Sequence, residues 1–230
     1  MINLAQKVGQ KFVNSVFKDV HTKYDQANDA MSLFLHRKWK KDFMNMLHIN
    51  QNTKALDLAS GTGDIARLLL KHTHNVTLCD INEDMLSIAK KKINSGDFVL
   101  ADAQNLPFKN ESFNLVTCVF GIRNFQEIEK SICEVKRILT TGGKFAIMEF
   151  MPNAENNTIN VLYRAYIKHI LPKYDSLFTN SSNSYSYLSQ SILEFQNKEQ
   201  FITLLENNGF SVVSPSIMNS TVGIFLCEKK

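Results

Sequence analysis

The chain has 230 residues and contains no apolar run that could serve as a membrane span, for which roughly 18 uncharged residues are needed. Its first residues, Met1 to Lys18, mix charged and apolar positions and lack a signal-peptide core. Both absences lead us to expect a cytoplasmic protein. The four cysteines, Cys79, Cys118, Cys133 and Cys227, form no C-x-x-C and have no histidine at ligand spacing. Buried thiols in a reducing compartment are therefore expected, and no metal site. Arginine is scarce too: five residues (Arg37, Arg67, Arg123, Arg137, Arg164) against twenty-one lysines, in a chain of net charge +4. No compact arginine–aromatic patch appears, so nucleic-acid binding gains little support. Internal repeats and low-complexity linkers are also missing.

What is present is ordinary in bulk and specific in detail. The 44% hydrophobic and 21% charged fractions suit a soluble globular protein, and 26.2 kDa suits one domain with additions. The most informative stretch is Leu56-Asp57-Leu58-Ala59-Ser60-Gly61-Thr62-Gly63-Asp64, with Asp80 further on. It reads as a strand, a glycine turn, a helix start and a second strand tipped by an acid, the frame of a nucleotide-binding βαβ unit. Gly61, Gly63 and Ala66 also satisfy the dinucleotide spacing G-x-G-x-x-G/A. A pyrophosphate on the helix N-terminus would, however, meet the negative charges of Asp64 and Asp57. S-adenosylmethionine carries an ammonium, a sulfonium and two ribose hydroxyls and no phosphate, so the acids favour it as the ligand.

The first fifty residues read as helical, Leu4–Phe17 and Arg37–Leu47. Strand-like runs follow at Lys54–Ala59, Asn75–Asp80, Phe98–Asp102, Leu115–Phe120 and Gly143–Phe150, alternating with helical periodicity at Asp64–His72, Glu83–Ile93 and Gln126–Leu139. Gly142-Gly143 reads as the stop of the last helix. Such alternation implies a parallel sheet with right-handed crossovers. Helices are then expected at Thr158–Leu171, Tyr185–Phe195 and Lys198–Asn208, and an antiparallel pair at Phe210–Met218 and Thr221–Cys227. An open α/β sheet that ends in such a hairpin resembles the class I methyltransferase fold, so the expected fold class is α/β and Rossmann-like: seven strands, mostly parallel, ending in an antiparallel hairpin with helices on both faces. The expected organisation is one domain, with a helical lid over 1–50, a donor-binding core over 51–150, a helical acceptor insertion over 151–209 and the strand pair over 210–230.

Ligands of open α/β sheets sit at the carboxyl ends of the strands. Those ends carry Gly61-Thr62-Gly63, then Asp80, placed for the ribose hydroxyls, then Asp102-Ala103, placed for an adenine. The fourth carries Phe120-Gly121-Ile122-Arg123-Asn124 and the fifth Glu149-Phe150. Each acid taken alone could instead cap the helix that follows it.

Several further words carry a resemblance: Lys23-Tyr24-Asp25, His36-Arg37-x-Trp39-Lys40, Asp80-x-Asn82-Glu83-x-Met85-Leu86, Leu106-Pro107-Phe108, Phe120-Gly121-x-Arg123-Asn124 and Tyr185-x-Tyr187-Leu188-x-x-Ser191-Ile192. With the glycine loop they make the chain resemble the ubiquinone/menaquinone-biosynthesis C-methyltransferase family over nearly its whole length. The resemblance implies the strand order 3-2-1-4-5-7-6 and methyl transfer from S-adenosylmethionine to a ring carbon of a polyprenyl quinol. It implies a donor site of Thr62, Asp80, Asp102 and Ala103, shaped by Gly61, Gly63 and Asp57. Val119 stands where the family usually has a small polar residue, which removes a hydroxyl near the donor.

An aromatic carbon is a poor nucleophile until a ring hydroxyl loses its proton, so positioning and phenolate stabilisation are needed. Arg123 is expected to stabilise the oxyanion, Asn124 to hold the ring or a water, and that water, Tyr185 or His36 to take the proton. A structural ion pair is the competing role for Arg123. Tyr24, Phe34, Trp39, Tyr163, Tyr166 and Tyr185 are candidate walls for an apolar acceptor. The mixed stretch Thr158–Tyr174, with Arg164, Lys168, His169 and Lys173, is compatible with peripheral contact at the inner face of a membrane. A homodimer, or association with other quinone-biosynthesis proteins, stays open. Other classes stay open as well: a dinucleotide-dependent oxidoreductase, a non-catalytic donor-binding protein, and a methyltransferase for another small molecule. No N-P-P-Y motif for amino-nitrogen methylation is present, and Phe125 follows Asn124.

Overall fold

The computed structural model describes residues 3–20, 29, 32, 34–152, 158–174, 184–215 and 221–230. Tyr24 and the rest of the Lys23-Tyr24-Asp25 word lie outside them. Seven strands form one sheet in the order β3-β2-β1-β4-β5-β7-β6. They are β1 Ala55–Leu58, β2 Val76–Asp80, β3 Asp97–Leu100, β4 Phe113–Val119, β5 Leu139–Phe150, β6 Phe210–Val213 and β7 Val222–Lys229. Strands β1 to β5 pair in parallel, while β7 runs antiparallel to both β5 and β6. The expected fold class and strand order are therefore those observed.

The central strands are near-continuous apolar runs because helices cover both faces. On one face Ile65, Leu69 and Leu78 pack with Phe43, Trp39, Phe150 and Tyr185; on the other Leu56, Val135 and Phe145 pack with Phe201, Phe210 and Phe225. Each such side chain, fully buried, contributes on the order of 1.5–3 kcal/mol. Helix His36–Met46 turns His36, Trp39, Lys40, Phe43 and Met44 inward, a stripe at helical spacing. Trp39 meets the edge of the Phe150 ring at a centroid distance of 6.3 Å. That contact seats the helix over the carboxyl ends of the strands.

Three expectations change. The first helix is two, Leu4–Val8 and Gln10–Val20, because Gly9 at φ 81 leaves the helical conformation between them. Gly142-Gly143 do not stop the preceding helix. That helix, Ile128–Ile138, runs straight into β5, and the glycines sit inside the strand where the β4–β5 register shifts between Phe113 and Leu115. Gly142 takes φ 71 there, so the pair forms a bulge. Finally, the Thr158 helix is α-helical only to Ala165, continues as a π turn at Tyr166–Ile170 and ends in a 3-10 turn at Leu171–Tyr174.

Asp57 holds the first crossover together. Its carboxylate accepts from the Ala66 N–H at 3.0 Å and from the Thr117 hydroxyl at 3.0 Å, tying β1 to helix Asp64–Leu69 and to β4. Burial pushes its pKa up to about 7, against the lowering effect of those two hydrogen bonds. In the unfolded chain the same group titrates near ~3.9. Between those values the folded state holds a proton that the unfolded state has lost, so this group makes stability fall as pH rises through the window. Asp57→Asn keeps an acceptor without the buried charge. In thermal melts of ligand-free protein, the variant should melt higher than the parent at about pH 8, with the gap narrowing as pH falls and closing near the unfolded value of ~3.9. A gap that does not change with pH would show that Asp57 is not the titrating group.

Candidate active site

The carboxyl ends of β1, β2, β3 and β4 enclose a cavity of about 710 Å³ that opens to solvent. Leu58, Met85 and Ala103 give it apolar walls, and Asp80, Asp102 and Asn124 give it polar groups. That mixture of apolar walls and a few convergent polar groups matches small-molecule sites. A smaller cavity adjoins it, lined by Lys40, Asp57, Ser60, Thr62, Asp64 and Val119; Ala59 and Phe120 line both.

The shared wall is strained. Ala59 has φ 54 and Phe120 φ 58, left-handed values that cost a residue with a Cβ. Gly121 follows because a Cβ there would lie 2.6 Å from that of Ala59. The ends of β1 and β4 thus approach as closely as backbone allows.

The expected donor residues come together. Gly61 and Gly63 take φ 53 and 84 and wrap the loop around the cavity junction. Asp80 is buried: one carboxylate oxygen accepts from the Gly61 N–H and the other from the Asn82 N–H, each at 2.8 Å. Burial pushes its pKa above the usual range while those N–H groups pull it down. Asp102 accepts from the backbone N–H of Gln104 and from its side-chain amide at 2.9 to 3.1 Å, and Ala103 lies beside it on the wall. Thr62 is buried, and its hydroxyl, like that of Ser60, has no partner among the described residues. Two orphaned hydroxyls facing one cavity are what a polar ligand would satisfy. The apolar walls and acids of the larger cavity suit the chemistry of an adenosine, and the charged and hydroxyl groups of the smaller suit a charged amino-acid end, so the residues present suit S-adenosylmethionine.

Asp64 corrects the charge argument drawn from the sequence. Its carboxylate is paired with Lys40 at 2.8 Å. Burial opposes its charge, yet the Lys40 ammonium together with Lys92 and Arg67 outweighs that and holds the carboxyl below its ordinary range. Asp64 therefore does not repel phosphate as a bare acid would.

The residues expected at the acceptor are placed less simply. The Arg123 guanidinium is buried and lies 2.6 Å from Glu149, with side-chain exposures of 1% and 0%. It also donates to the Phe120 carbonyl at 2.8 Å and to the Ser191 hydroxyl at 3.2 Å. The structural pairing is thus present. Asn124 lines the larger cavity and accepts from the Tyr187 hydroxyl at 3.0 Å. Tyr185 is packed into the core with 1% exposure, as an early residue of helix Ser184–Leu193. His36 is also buried, with Nδ1 at 3.0 Å from the Ser32 hydroxyl and 3.5 Å from an Asp29 carboxylate oxygen. Burial and then Lys40 lower its pKa, which favours the neutral imidazole.

Sequence reading missed Lys40 and Ser60 as wall residues and Tyr187 as the hydrogen-bond partner of Asn124. For Lys40 a signal existed: it occupies the same helical stripe as His36, Trp39 and Phe43.

Comparison with known proteins settles the class. The model of the ubiE/COQ5 methyltransferase family matches residues 5–228. The chain belongs to that family. Its methyl donor is S-adenosylmethionine. The chain is 38% identical to the mitochondrial 2-methoxy-6-polyprenyl-1,4-benzoquinol methylase of Caenorhabditis elegans, over 94% of this chain and 78% of that one. It is 34% identical to the demethylmenaquinone methyltransferase of Thermotoga maritima, over 94% and 96%. Among solved structures it resembles a SAM-dependent methyltransferase of Thermotoga maritima with TM-score 0.67, 21% identity, and coverage of 94% and 99%. That last likeness concerns the fold.

The buried pair gives the family site a measurable dependence. Arg123→Met leaves Glu149 buried without its counter-charge and should cost about 3–5 kcal/mol in chemical denaturation. Adding Glu149→Gln should recover a large part of the loss, because the amide oxygen can still accept from backbone N–H groups. Additive losses in the double variant would mean that the two side chains are not coupled.

Proposed function

We propose that the protein transfers the methyl group of S-adenosylmethionine to a ring carbon of a polyprenyl-substituted quinol. The observation that carries this reading is the two-part cavity at the strand ends, in a chain whose relatives from Caenorhabditis elegans and Thermotoga maritima are named for benzoquinol and menaquinone methylation. The donor supplies an electrophilic methyl on a sulfonium, which leaves as a neutral thioether. In this reading Asp80 accepts from the ribose hydroxyls, and Asp102 with the backbone of Ala103 recognises the adenine. Thr62, with the bends at Gly61 and Gly63, holds the amino-acid end, and Asp57 braces the loop from behind.

On the acceptor side Arg123 acts as a positioning residue with an electrostatic reach. Burial raises the pKa of the Tyr163 and Tyr187 phenols, and Arg123 is the charge that pulls both back. The same field would favour an ionised quinol hydroxyl nearby, with Glu149 tempering it. Asn124, held by Tyr187, presents its amide to the cavity. A water in the cavity is the candidate proton acceptor, since neither His36 nor Tyr185 is among the residues lining the two cavities.

The acceptor's chain places it in lipid, and one surface suits that. Val161, Leu162 and Ile170 are exposed, at 57%, 64% and 49%, on a segment that also carries Arg164, Lys168 and His169. Among the described residues no helix is long and apolar enough to cross a membrane. Lying on an anionic surface is the mode this composition supports. Val161→Asp/Leu162→Asp should lower co-sedimentation with anionic vesicles several-fold; unchanged sedimentation would remove this surface from the reading.

The reaction itself is tested with purified protein, S-adenosylmethionine, and either a 2-methoxy-6-polyprenyl-1,4-benzoquinol or a demethylmenaquinol, each offered reduced and oxidised. Mass spectrometry should show a carbon-methylated product from at least one reduced acceptor and none from the oxidised forms. Failure with both quinols, while the donor still binds, would overturn the assignment.

A further inference from the structure

Lys40 is a charged side chain with 9% exposure that faces a cavity. A buried ammonium is costly and persists where it is paired or where a ligand uses it. Among the described residues its hydrogen bond is to Asp64 at 2.8 Å, while an ammonium carries three donors. The same small cavity holds the hydroxyls of Ser60 and Thr62, on residues 9% and 4% exposed, both without partners among the described residues. Val119 adds an apolar wall and no competing polar group. A hydroxyl can donate to a carboxylate, and two of them beside an ammonium make an anion cradle. Asp64 and Asp57 stand across the cavity as acceptors for a cation.

A ligand with one carboxylate and one ammonium matches this arrangement with no change in net charge. We propose that Lys40 and Asp64 part on donor binding, Lys40 with the Ser60 and Thr62 hydroxyls taking the donor's carboxylate and Asp64 taking its ammonium. One ion pair is exchanged for two, so neither protein charge is left buried alone. Lys40 thereby reads the amino-acid end of the donor, and the helix seated by Trp39 on Phe150 becomes part of the donor site. This inference rests on the donor reading above.

The test uses calorimetric titration of the full chain with two ligands. S-adenosylhomocysteine keeps the zwitterionic end, and 5′-methylthioadenosine lacks it. Lys40→Met should weaken S-adenosylhomocysteine roughly 10- to 100-fold, the range expected for a charge-assisted hydrogen bond. It should leave 5′-methylthioadenosine within about twofold, and Lys40→Arg should restore most of the lost affinity. Equal weakening of both ligands, or of neither, overturns the assignment. If Lys40→Met does not fold, the wild-type protein supplies the second measurement. Decarboxylated S-adenosylmethionine should then bind it at least tenfold more weakly than S-adenosylmethionine, and equal binding overturns the proposal. If wild-type protein binds neither adenosyl ligand, the donor reading itself fails and this inference goes with it.

Discussion

The buried contact between Arg123 and Glu149 is the constraint on which the rest of the site depends. It joins the end of β4 to the end of β5 and, through Ser191, to helix Ser184–Leu193. The same guanidinium holds the Phe120 carbonyl and lies over the Phe150 ring at 5.6 Å. Phe120 is thereby kept at positive φ and stacked on Phe150 at a centroid distance of 4.4 Å. Phe150 in turn receives Trp39, and Trp39 sets Lys40 over the small cavity. One ion pair thus orders a chain of aromatic contacts that reaches the donor loop. Burial still raises the Glu149 carboxyl above its ordinary range despite Arg123 and two backbone N–H donors. Desolvation outweighing attraction is common for such pairs, which fix geometry more reliably than they add stability.

This arrangement explains why loss of turnover on removing Arg123 would not by itself identify a catalytic group. A side chain bonded to a carboxylate, a carbonyl and a hydroxyl shapes the cavity wall even if it never touches an acceptor. Its electrostatic influence on Tyr163 and Tyr187 is the sign of a second role, because a quinol hydroxyl is chemically a phenol.

Much of the fold was legible because it depends on local period and punctuation. Strand and helix alternation from Lys54 to Phe150 identified the core, and the glycine loop located the first crossover. Gly9 and Gly142-Gly143 were harder to read, since a glycine signals a break without saying which kind. Whether it ends a helix or bulges a strand is decided by the partner strand, here β4, which the local sequence does not contain. Candidate site residues on strand ends were readable in the same way: Asp80 and Asp102 follow from position at the strand tips, while Thr62 came with the family resemblance. Pairings were not. Lys40 with Asp64, Arg123 with Glu149, and Tyr187 with Asn124 join elements far apart in the chain. The sequence reading therefore counted Asp64 as a free acid and did not see that Tyr187 bonds to Asn124.

The acids around the loop also make sense as a balance between the empty and occupied protein. Asp57 and Asp80 are both buried, and burial pushes both carboxyls above their usual range, so the charged form of each is disfavoured unless a cation lies nearby. A ligand that brings a sulfonium and an ammonium relieves that penalty, since an added cation nearby favours the charged carboxylate. The folded protein then gains on binding what it lacked when empty, and the gain belongs only to a cationic ligand. A pyrophosphate in the same place would deepen the penalty, even with Asp64 neutralised by Lys40. In the proposed reading, selection against phosphate therefore rests on the desolvated acids behind the loop rather than on the acid at its front. A carboxylate that water cannot reach favours a cationic ligand beside it over an anionic one.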